Sequence, residues 1–279
     1  MTEKKLKTFI KWQGNKSNHV RFLLPLIPKN YNTYIEPFLG SGAVLLKHKP
    51  TKWIINDLNK DNIDVWKIIQ DNPNKIISYF KNFGKTFKNL SKDKKIKLCN
   101  KKTSNLNNSK SQSRAINFLL MKACSFMGTI MKNDVFSFNG LELSILAYNK
   151  YPFLSESYFE NIKKISQFLN ETNGKIYNSD YKKILKKAKA NDFIFLDPPY
   201  IQSHDYKFNY NKGEKLDNVF IKELVEQVKI LDKRDVFWMM TQANTAQIRK
   251  SFLGYKFKTF NVFRAVSKSY TKELIIMNY

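Results

Sequence analysis

Asp192-Phe193-Ile194-Phe195-Leu196-Asp197-Pro198-Pro199-Tyr200 is the stretch that decides the fold of this chain. A short apolar run that ends at a carboxylate and two prolines is typical of a buried parallel strand that stops abruptly. Because prolines cannot continue a strand or a helix, we expect Asp197 and Tyr200 to lie at the edge of a sheet. Open α/β sheets bind their ligands at that edge.

A second ligand-binding pattern lies near the amino terminus. Residues 34–46 read as a short strand, a turn that contains Gly40 and Gly42, and an apolar helix. Glycines let the backbone turn sharply and let a ligand approach closely. The next apolar run ends at Asp57, where a carboxylate commonly binds ribose hydroxyls. Asp57 could instead cap the following helix, although Asp61 fits that role better.

The remaining apolar periodicity predicts an alternation of strands and helices. A helix is expected over 20–27, another around 159–169, and a strand over 175–180 that ends at Asp180. A further helix begins at Asp217 and is followed by strands at 236–242, 256–263 and 272–278. The pattern predicts an α/β fold with a doubly wound, mostly parallel sheet that ends in a hairpin.

The middle of the chain is strongly basic. Residues 81–114 contain eleven basic side chains and one acid, and they predict either a mobile loop or helices with a solvated face. Residues 129–138 predict a β-hairpin with a polar tip. Because a two-stranded ribbon fits the major groove of DNA, Lys132 and Asn133 in this hairpin are candidate DNA contacts. Lys92, Lys94 and Lys95 are the candidates in the basic segment.

Charge points to a polyanionic partner. The 279 residues carry a formal net charge of +26, which favours nucleic acid ahead of a membrane surface. A compositional origin is the alternative, because only five of the 49 basic residues are arginine, and AT-biased coding produces such lysine-rich chains. The clustering of the basic residues favours the electrostatic explanation.

Composition also argues against several classes of protein. No apolar run reaches membrane-spanning length and the amino terminus lacks the apolar core of a signal peptide, so we expect an intracellular, soluble protein. Two cysteines and three histidines are scattered along the chain, which argues against a metal site. Gly14-Asn15-Lys16-Ser17 lacks the first glycine and the Gly-Lys pair of a phosphate-binding loop.

Four motifs, in this order, resemble those of the Dam-type N6-adenine DNA methyltransferases of the alpha group. They are Phe9-Ile10-Lys11-Trp12-Gln13-Gly14-Asn15-Lys16, Glu36-Pro37-Phe38-Leu39-Gly40-Ser41-Gly42, Asn56-Asp57-Leu58-Asn59 and Asp197-Pro198-Pro199-Tyr200. The resemblance extends over nearly the whole chain, to the closing Glu273-Leu274-Ile275-Ile276-Met277-Asn278-Tyr279.

The resemblance implies a Rossmann-like sheet that binds S-adenosylmethionine and carries an inserted, mainly helical recognition subdomain with a β-hairpin. We expect residues 1–70 and 155–279 to form the catalytic domain and residues 71–154 the insertion. The implied reaction is methyl transfer to the N6 amine of a flipped-out adenine in double-stranded DNA. A cognate restriction endonuclease is a partner that such enzymes can have.

The family's site residues carry over to matching positions of this chain. The implied catalytic residues are Asp197, Pro198, Pro199 and Tyr200. Asp180 is expected beside the cofactor's adenine, although an aspartate that begins a turn explains it nearly as well. The implied cofactor-binding residues are Trp12, Gly14, Lys16, Glu36, Phe38, Gly40, Gly42, Asp57, Leu58, Asp180 and Asp197.

The sequence departs from the family pattern at two places, of which the first concerns the geometry of a loop and the second concerns the target. The usual Gly-Gly-Lys of the first motif is Gly14-Asn15-Lys16, and the segment 126–131 has no arginine where the family commonly has one. Because arginine is the commonest side chain that reads guanine, a target such as GATC is in doubt. Methylation of RNA and a catalytically silent nucleic-acid-binding subunit are the alternative functions.

Overall fold

A computed structural model of the protein describes residues 6–108, 113–132, 135–200, 218–264 and 269–279. The chain divides into two compact units. Unit 1 comprises residues 1–17, 40–49 and 59–176, and unit 2 comprises residues 18–39, 50–58 and 177–279. The expected division into a catalytic domain and an insertion at 71–154 stays a prediction.

Within the described residues, seven strands form one sheet and two form a hairpin. The strand order in the sheet is β5-β2-β1-β6-β7-β9-β8. Strands β1, β2, β6 and β7 pair in parallel, and β9 is antiparallel to β7 and β8. The strands are β1 (Tyr34–Glu36), β2 (Lys52–Asn56), β3 (Met131–Lys132), β4 (Val135–Phe136), β5 (Asn173–Tyr177), β6 (Phe193–Leu196), β7 (Phe237–Ala243), β8 (Lys256–Arg264) and β9 (Ser269–Met277).

Helices connect most of these strands along the chain. The predicted alternation of strands and helices is confirmed, including the antiparallel strands near the carboxyl terminus. The helices are α1 (Val20–Leu23), α2 (Ala43–His48), α3 (Lys60–Asp71), α4 (Pro73–Phe87), α5 (Lys92–Asn108), α6 (Ser113–Cys124), α7 (Leu143–Leu146), α8 (Glu156–Glu171), α9 (Tyr181–Leu185), α10 (Asn218–Asp232) and α11 (Ala246–Ser251).

Strand β6 is the centre of unit 2. All four of its residues are buried, and it pairs in parallel with β1 on one side and β7 on the other. A strand that is covered on both faces has to be apolar throughout, which explains the run Phe-Ile-Phe-Leu. Its neighbours on one face include Trp238 and Met240 of β7 and Leu224 and Val228 of α10, all at most 2% exposed. Each such side chain contributes about 1.5 to 3 kcal/mol on burial.

Unit 1 is built from helices that pack around α3. Phe9 and Trp66 meet edge to face, with ring centroids 4.8 Å apart. Arg114 of α6 makes a double hydrogen bond to the Asp61 carboxylate of α3, with nitrogen to oxygen distances of 2.6 and 3.0 Å. Of the two alternatives for the basic segment, helices are the correct one, because 81–114 lies mostly within α4, α5 and α6.

The predicted hairpin is confirmed as the pair β3 and β4 of unit 1. Met131 faces Phe136 and Lys132 faces Val135 in an antiparallel register. Asn107 of α5 fixes the hairpin, because its side chain accepts from the Phe136 amide at 2.9 Å and donates to the Phe136 carbonyl at 3.1 Å. The expected polar tip lies outside the described residues.

Two boundaries differ from the predictions. The helix expected over 20–27 is only α1 followed by a 3-10 turn, Leu24–Leu26, because Pro25 has no amide hydrogen to continue an α-helix. The strand expected over 175–180 ends at Tyr177. In the described part of the chain, we find no helix with the length and hydropathy needed to cross a membrane.

Candidate active site

Asp197 directly follows β6 in unit 2, as the sequence predicts. Its Oδ1 accepts a hydrogen bond from the Thr241 hydroxyl of β7 at 2.6 Å. Thr241 is fully buried, and Asp197 is half-buried. A short bond from a buried donor to a carboxylate is among the stronger hydrogen bonds in proteins. The direction in which the Asp197 carboxylate points is therefore set by a neighbouring strand.

The next residues of the motif are held by the same part of the sheet. The Gln242 side chain of β7 donates from Nε2 to the Pro199 carbonyl at 3.2 Å. The Tyr200 hydroxyl donates to Oε2 of Glu273, in β9, at 2.7 Å. His19 adds a second contact to that carboxylate, with Nδ1 3.7 Å from Oε2. Two neighbouring strands thus fix three of the four residues in the motif.

Burial and nearby carboxylates perturb two tyrosines of this region. Burial, followed by the charges of Asp197 and Glu273, raises the pKa of the Tyr200 phenol well above the usual tyrosine value. Burial and the adjacent Glu36 carboxylate raise the pKa of Tyr34 in the same way. The Tyr34 hydroxyl donates to Glu36 Oε2 at 2.7 Å, and both residues are at most 2% exposed. Both phenols therefore stay protonated at neutral pH.

Two asparagines tie the loops that follow the parallel strands of unit 2. Asn56, at the end of β2, donates through Nδ2 to the carbonyls of Pro37 and Ser179, each at 2.9 Å. Asn178 donates to the carbonyls of Asp57 and Leu58, at 2.8 and 3.0 Å. These bonds fix the backbone at the carboxyl ends of β1 and β2, where a ligand is expected.

Asp57 and Leu58 follow β2 at this edge. Asp57 is half-buried and the apolar Leu58 side chain is 50% exposed. A carboxylate suits ribose hydroxyls and an exposed aliphatic side chain suits a flat base, so this pair fits the nucleoside part of S-adenosylmethionine. The cap of α3 is Asn59, whose side chain accepts from the Asn62 amide at 2.8 Å. The interpretation of Asp57 or Asp61 as that cap is wrong.

Asp180 begins a helix rather than ending a strand. Its side chain accepts from the Lys182 amide at 2.8 Å and caps α9. Phe38, after β1, packs against Tyr181 with ring centroids 5.0 Å apart. The Tyr181 hydroxyl is buried and has no hydrogen-bond partner among the described residues. A cofactor contact by Asp180 stays a prediction.

The glycine turn of the second motif belongs to unit 1 from Gly40 onward. Gly40 has a φ of +51°, and a β-carbon at this position would lie 2.9 Å from Cδ1 of Trp12. Asn62 of α3 donates to the Gly40 carbonyl at 2.8 Å. Gly42 has a φ of +65° and precedes α2. The turn needs glycine at position 40 for two reasons, its left-handed backbone and its contact with the indole.

The first motif lies in unit 1 as well. The ammonium of Lys122, in α6, lies 4.7 Å from the ring centroid of Trp12 and donates to the Gly128 carbonyl at 2.9 Å. Lys16 is 5% exposed, and its Nζ donates to the Gly14 carbonyl at 2.9 Å. Trp12 is therefore held between the glycine turn of the second motif and the helix that precedes the hairpin.

The candidate DNA contacts occupy different environments. Lys92 and Lys94 are exposed on α5. Lys95 is 7% exposed, and its ammonium lies 5.5 Å from the Tyr151 ring centroid and 5.8 Å from that of Phe87. Its packing favours a structural role over a phosphate contact, and a DNA contact by Lys95 stays a prediction. Lys132 ends β3, and Asn133 lies outside the described residues.

Several polar residues of the site were not predicted. Lys122, Thr241 and Gln242 lie far from the motifs in sequence, and no local pattern marks a pair such as Asp197 and Thr241. Glu273 has a weak signal, since a carboxylate next to the apolar run 274–277 is unusual in a buried strand. Asn56 and Glu273 belong to stretches that resemble the family, but the sequence predicts no role for them, nor for Asn62, Lys122, Asn178, Thr241 and Gln242.

Comparison with known proteins supports the same chemistry. Residues 12–266 match the model of the D12 class N6 adenine-specific DNA methyltransferase family. The chain is 28% identical to the type II methyltransferase M1.LlaDCHI of Lactococcus lactis subsp. cremoris, over 98% of this chain and 96% of that protein. It is 26% identical to the type II methyltransferase M.MjaIII of Methanocaldococcus jannaschii, over 98% of this chain and 99% of that protein.

A third relative is named as a DNA adenine methylase rather than as a type II methyltransferase. The DNA adenine methylase of Haemophilus influenzae is 24% identical, over 97% of this chain and 91% of that protein. All three similarities extend over nearly the full length of both proteins, and the family match includes every candidate catalytic residue. The chain therefore belongs to the D12 class of N6 adenine-specific DNA methyltransferases.

Proposed function

We propose that this enzyme methylates adenine N6 in duplex DNA at the segment Asp197–Tyr200, after the target adenine has been flipped out of the helix. The observation that carries the proposal is the position of this segment, which directly follows β6 and is held by Thr241, Gln242 and Glu273. A target atom inside a duplex cannot be reached without flipping. The segment supplies the groups that an extruded adenine needs.

The proposed chemistry rests on hydrogen bonds to the adenine amine. The N6 lone pair is delocalised into the ring, so the amine is a poor nucleophile. The Asp197 carboxylate and the Pro198 carbonyl would both accept from N6, which favours a tetrahedral nitrogen and stabilises the positive charge that develops on it. Tyr200 would stack on the base, which is worth about 1 to 3 kcal/mol.

S-adenosylmethionine, when bound, supplies an electrophilic methyl group. Asp57 would bind the ribose hydroxyls, Leu58 would cover one face of the adenine, and the turn from Phe38 to Gly42 would hold the methionine part. Trp12, Gly14 and Lys16 of the first motif are further proposed contacts of the cofactor. Each role fits the residue present, namely a carboxylate, an exposed apolar side chain and a backbone turn with a left-handed glycine.

We propose that residues 1–70 and 155–279 form the catalytic domain and that residues 71–154 form the insertion. The insertion would make the contacts with the DNA phosphates. Lys92 and Lys94 are exposed and fit a phosphate contact, whereas the buried Lys95 fits it poorly. The hairpin, with Lys132 and Asn133, is the proposed reader of the sequence. Since 126–131 has no arginine, we expect a target other than GATC. The type II names of two relatives favour a cognate restriction endonuclease.

The test offers labelled S-adenosylmethionine with duplex DNA, single-stranded DNA and RNA in parallel. The wild type is expected to label duplex DNA, and Asp197→Ala to lower the rate by about 100-fold or more. Asp71→Ala is the matched control, because it removes an exposed carboxylate at the end of α3 and should leave the rate unchanged. Labelling of RNA alone would replace the proposed substrate, and no labelling of any polymer would overturn the proposal.

A further inference from the structure

Glu273 is a buried carboxylate that the proposed chemistry does not use. It lies in β9 at 2% exposure and is followed by the buried residues Leu274, Ile275 and Ile276. Moving a carboxylate out of water is unfavourable unless hydrogen bonds and charges compensate. A chain that needed only a stable strand would be served by an apolar residue here. We therefore expect a hydrogen-bond donor whose position depends on this carboxylate.

That partner is Tyr200. Its hydroxyl donates to Glu273 Oε2 at 2.7 Å, a normal length for an O–H to carboxylate bond. His19 approaches the same oxygen, with Nδ1 at 3.7 Å, and its ring packs edge to face on Phe260 at 5.3 Å. Stacking of a base on a tyrosine requires only the ring face. The hydroxyl has no part in stacking, but its bond to a rigid strand fixes the position of the ring.

We propose that Glu273 is a positioning residue for the methyl transfer: its carboxylate holds the Tyr200 hydroxyl and thereby sets the plane on which the extruded adenine stacks. The inference rests on the proposed function of Tyr200. Thr241 and Gln242 do the same for Asp197 and Pro199, so the acceptor for N6 and the stacking ring are placed by one piece of sheet. The bond needs a protonated phenol, and the raised pKa of Tyr200 keeps it protonated.

The experiment compares Glu273→Met, Glu273→Gln, Tyr200→Phe and the double variant Tyr200→Phe with Glu273→Met. Met conserves volume but cannot accept, whereas the Gln side-chain carbonyl can still accept from Tyr200. We expect Glu273→Met to lower kcat about tenfold with the KM for S-adenosylmethionine unchanged, and Glu273→Gln to stay within about threefold of the wild type. The double variant should be no slower than the slower single variant.

Tyr255→Phe is the matched control. Tyr255 also donates to a carboxylate in unit 2, that of Asp232 at 2.5 Å, but this pair is not attached to the motif. It should lower thermal stability and leave kcat unchanged. A fluorescent base analogue at the target position adds a second readout, because a loosely held Tyr200 ring should quench its emission less.

Three results would overturn the inference. They are a higher KM for the cofactor with an unchanged kcat, single losses that multiply in the double variant, and a Glu273→Gln variant as slow as Glu273→Met. Thermal unfolding of the four variants distinguishes a failure of this inference from a failure of the proposed function. Coupling between positions 200 and 273 in stability does not require activity, and its absence would overturn the inference even in an enzyme that methylates DNA.

Discussion

Gly40 offers the sharpest test of the cofactor turn. Replacing it by alanine adds one methyl group at a residue with a φ of +51°, and the new carbon would lie 2.9 Å from Cδ1 and 3.0 Å from Nε1 of Trp12. Contacts this short force the indole to move. We expect Gly40→Ala both to destabilise unit 1 and to weaken the binding of S-adenosylmethionine.

The loss of stability expected for Gly40→Ala has two parts. A left-handed backbone costs an L-residue about 1 to 2 kcal/mol, and overpacking adds about 1 to 3 kcal/mol. Gly140, also in unit 1, separates these parts, because its φ is +80° and a β-carbon there has no heavy atom within 4 Å. Gly140→Ala should therefore show the backbone part alone. The overpacking part, which is specific to Gly40, corresponds to a change of about 5- to 160-fold in the equilibrium constant for unfolding.

The assay measures unfolding by heat and cofactor affinity by titration calorimetry for the wild type and both variants. Gly140→Ala should lower stability and leave the dissociation constant unchanged, whereas Gly40→Ala should lower stability further and raise the dissociation constant. If the two variants behave alike in both measurements, the contact between Gly40 and Trp12 has no bearing on cofactor binding, and the reasoning fails.

Three further predictions follow from the geometry. Thr241→Val removes the hydrogen-bond donor to Asp197 and should slow single-turnover methylation about 10- to 150-fold. Thr241→Ser keeps the hydroxyl, and its rate should stay within about threefold of the wild type. Equal rates for the two variants would refute this role of Thr241. Lys122→Met removes the cation 4.7 Å from the Trp12 ring and should raise the cofactor's dissociation constant about two- to fivefold by calorimetry. The free energy of unfolding should fall as pH rises above about 10, because tyrosines ionise there in the unfolded chain while those with a raised pKa keep their protons in the fold. Denaturant titrations across that range check this, and the tyrosines concerned are Tyr31, Tyr34, Tyr158, Tyr181, Tyr200, Tyr255 and Tyr279.

Much of the fold is predictable from local pattern. The run 193–196 is apolar and ends at Asp197 and two prolines, so both its burial and its end follow from the residues themselves. The predicted strands at 236–242, 256–263 and 272–278 match β7, β8 and β9 to within a few residues. Boundaries fail where a local hydrogen bond competes, as at Asp180, whose side chain caps α9.

The contacts that complete the site are not predictable in the same way. Thr241 lies 44 residues after Asp197, and Glu273 lies 73 residues after Tyr200. No periodicity relates such pairs, because the register of neighbouring strands brings them together. Lys122 and Trp12 are likewise distant in sequence, and a helix packed within unit 1 joins them. Sequence pattern finds the motif, and tertiary pairing supplies the residues that hold it.

The antiparallel strand β9 explains how Glu273 reaches the motif. Parallel strands present their last residues at the ligand edge, as β6 does with Asp197. Because β9 runs antiparallel to β7, Glu273 in the middle of β9 pairs with Ala243, the last residue of β7, whereas Met277 pairs with Met239. Reversing the direction of β9 would bring the apolar end of the strand to this edge in place of the carboxylate. The reversed strand is therefore what allows a buried acid to hold Tyr200 while Leu274, Ile275, Ile276 and Met277 pack in the core.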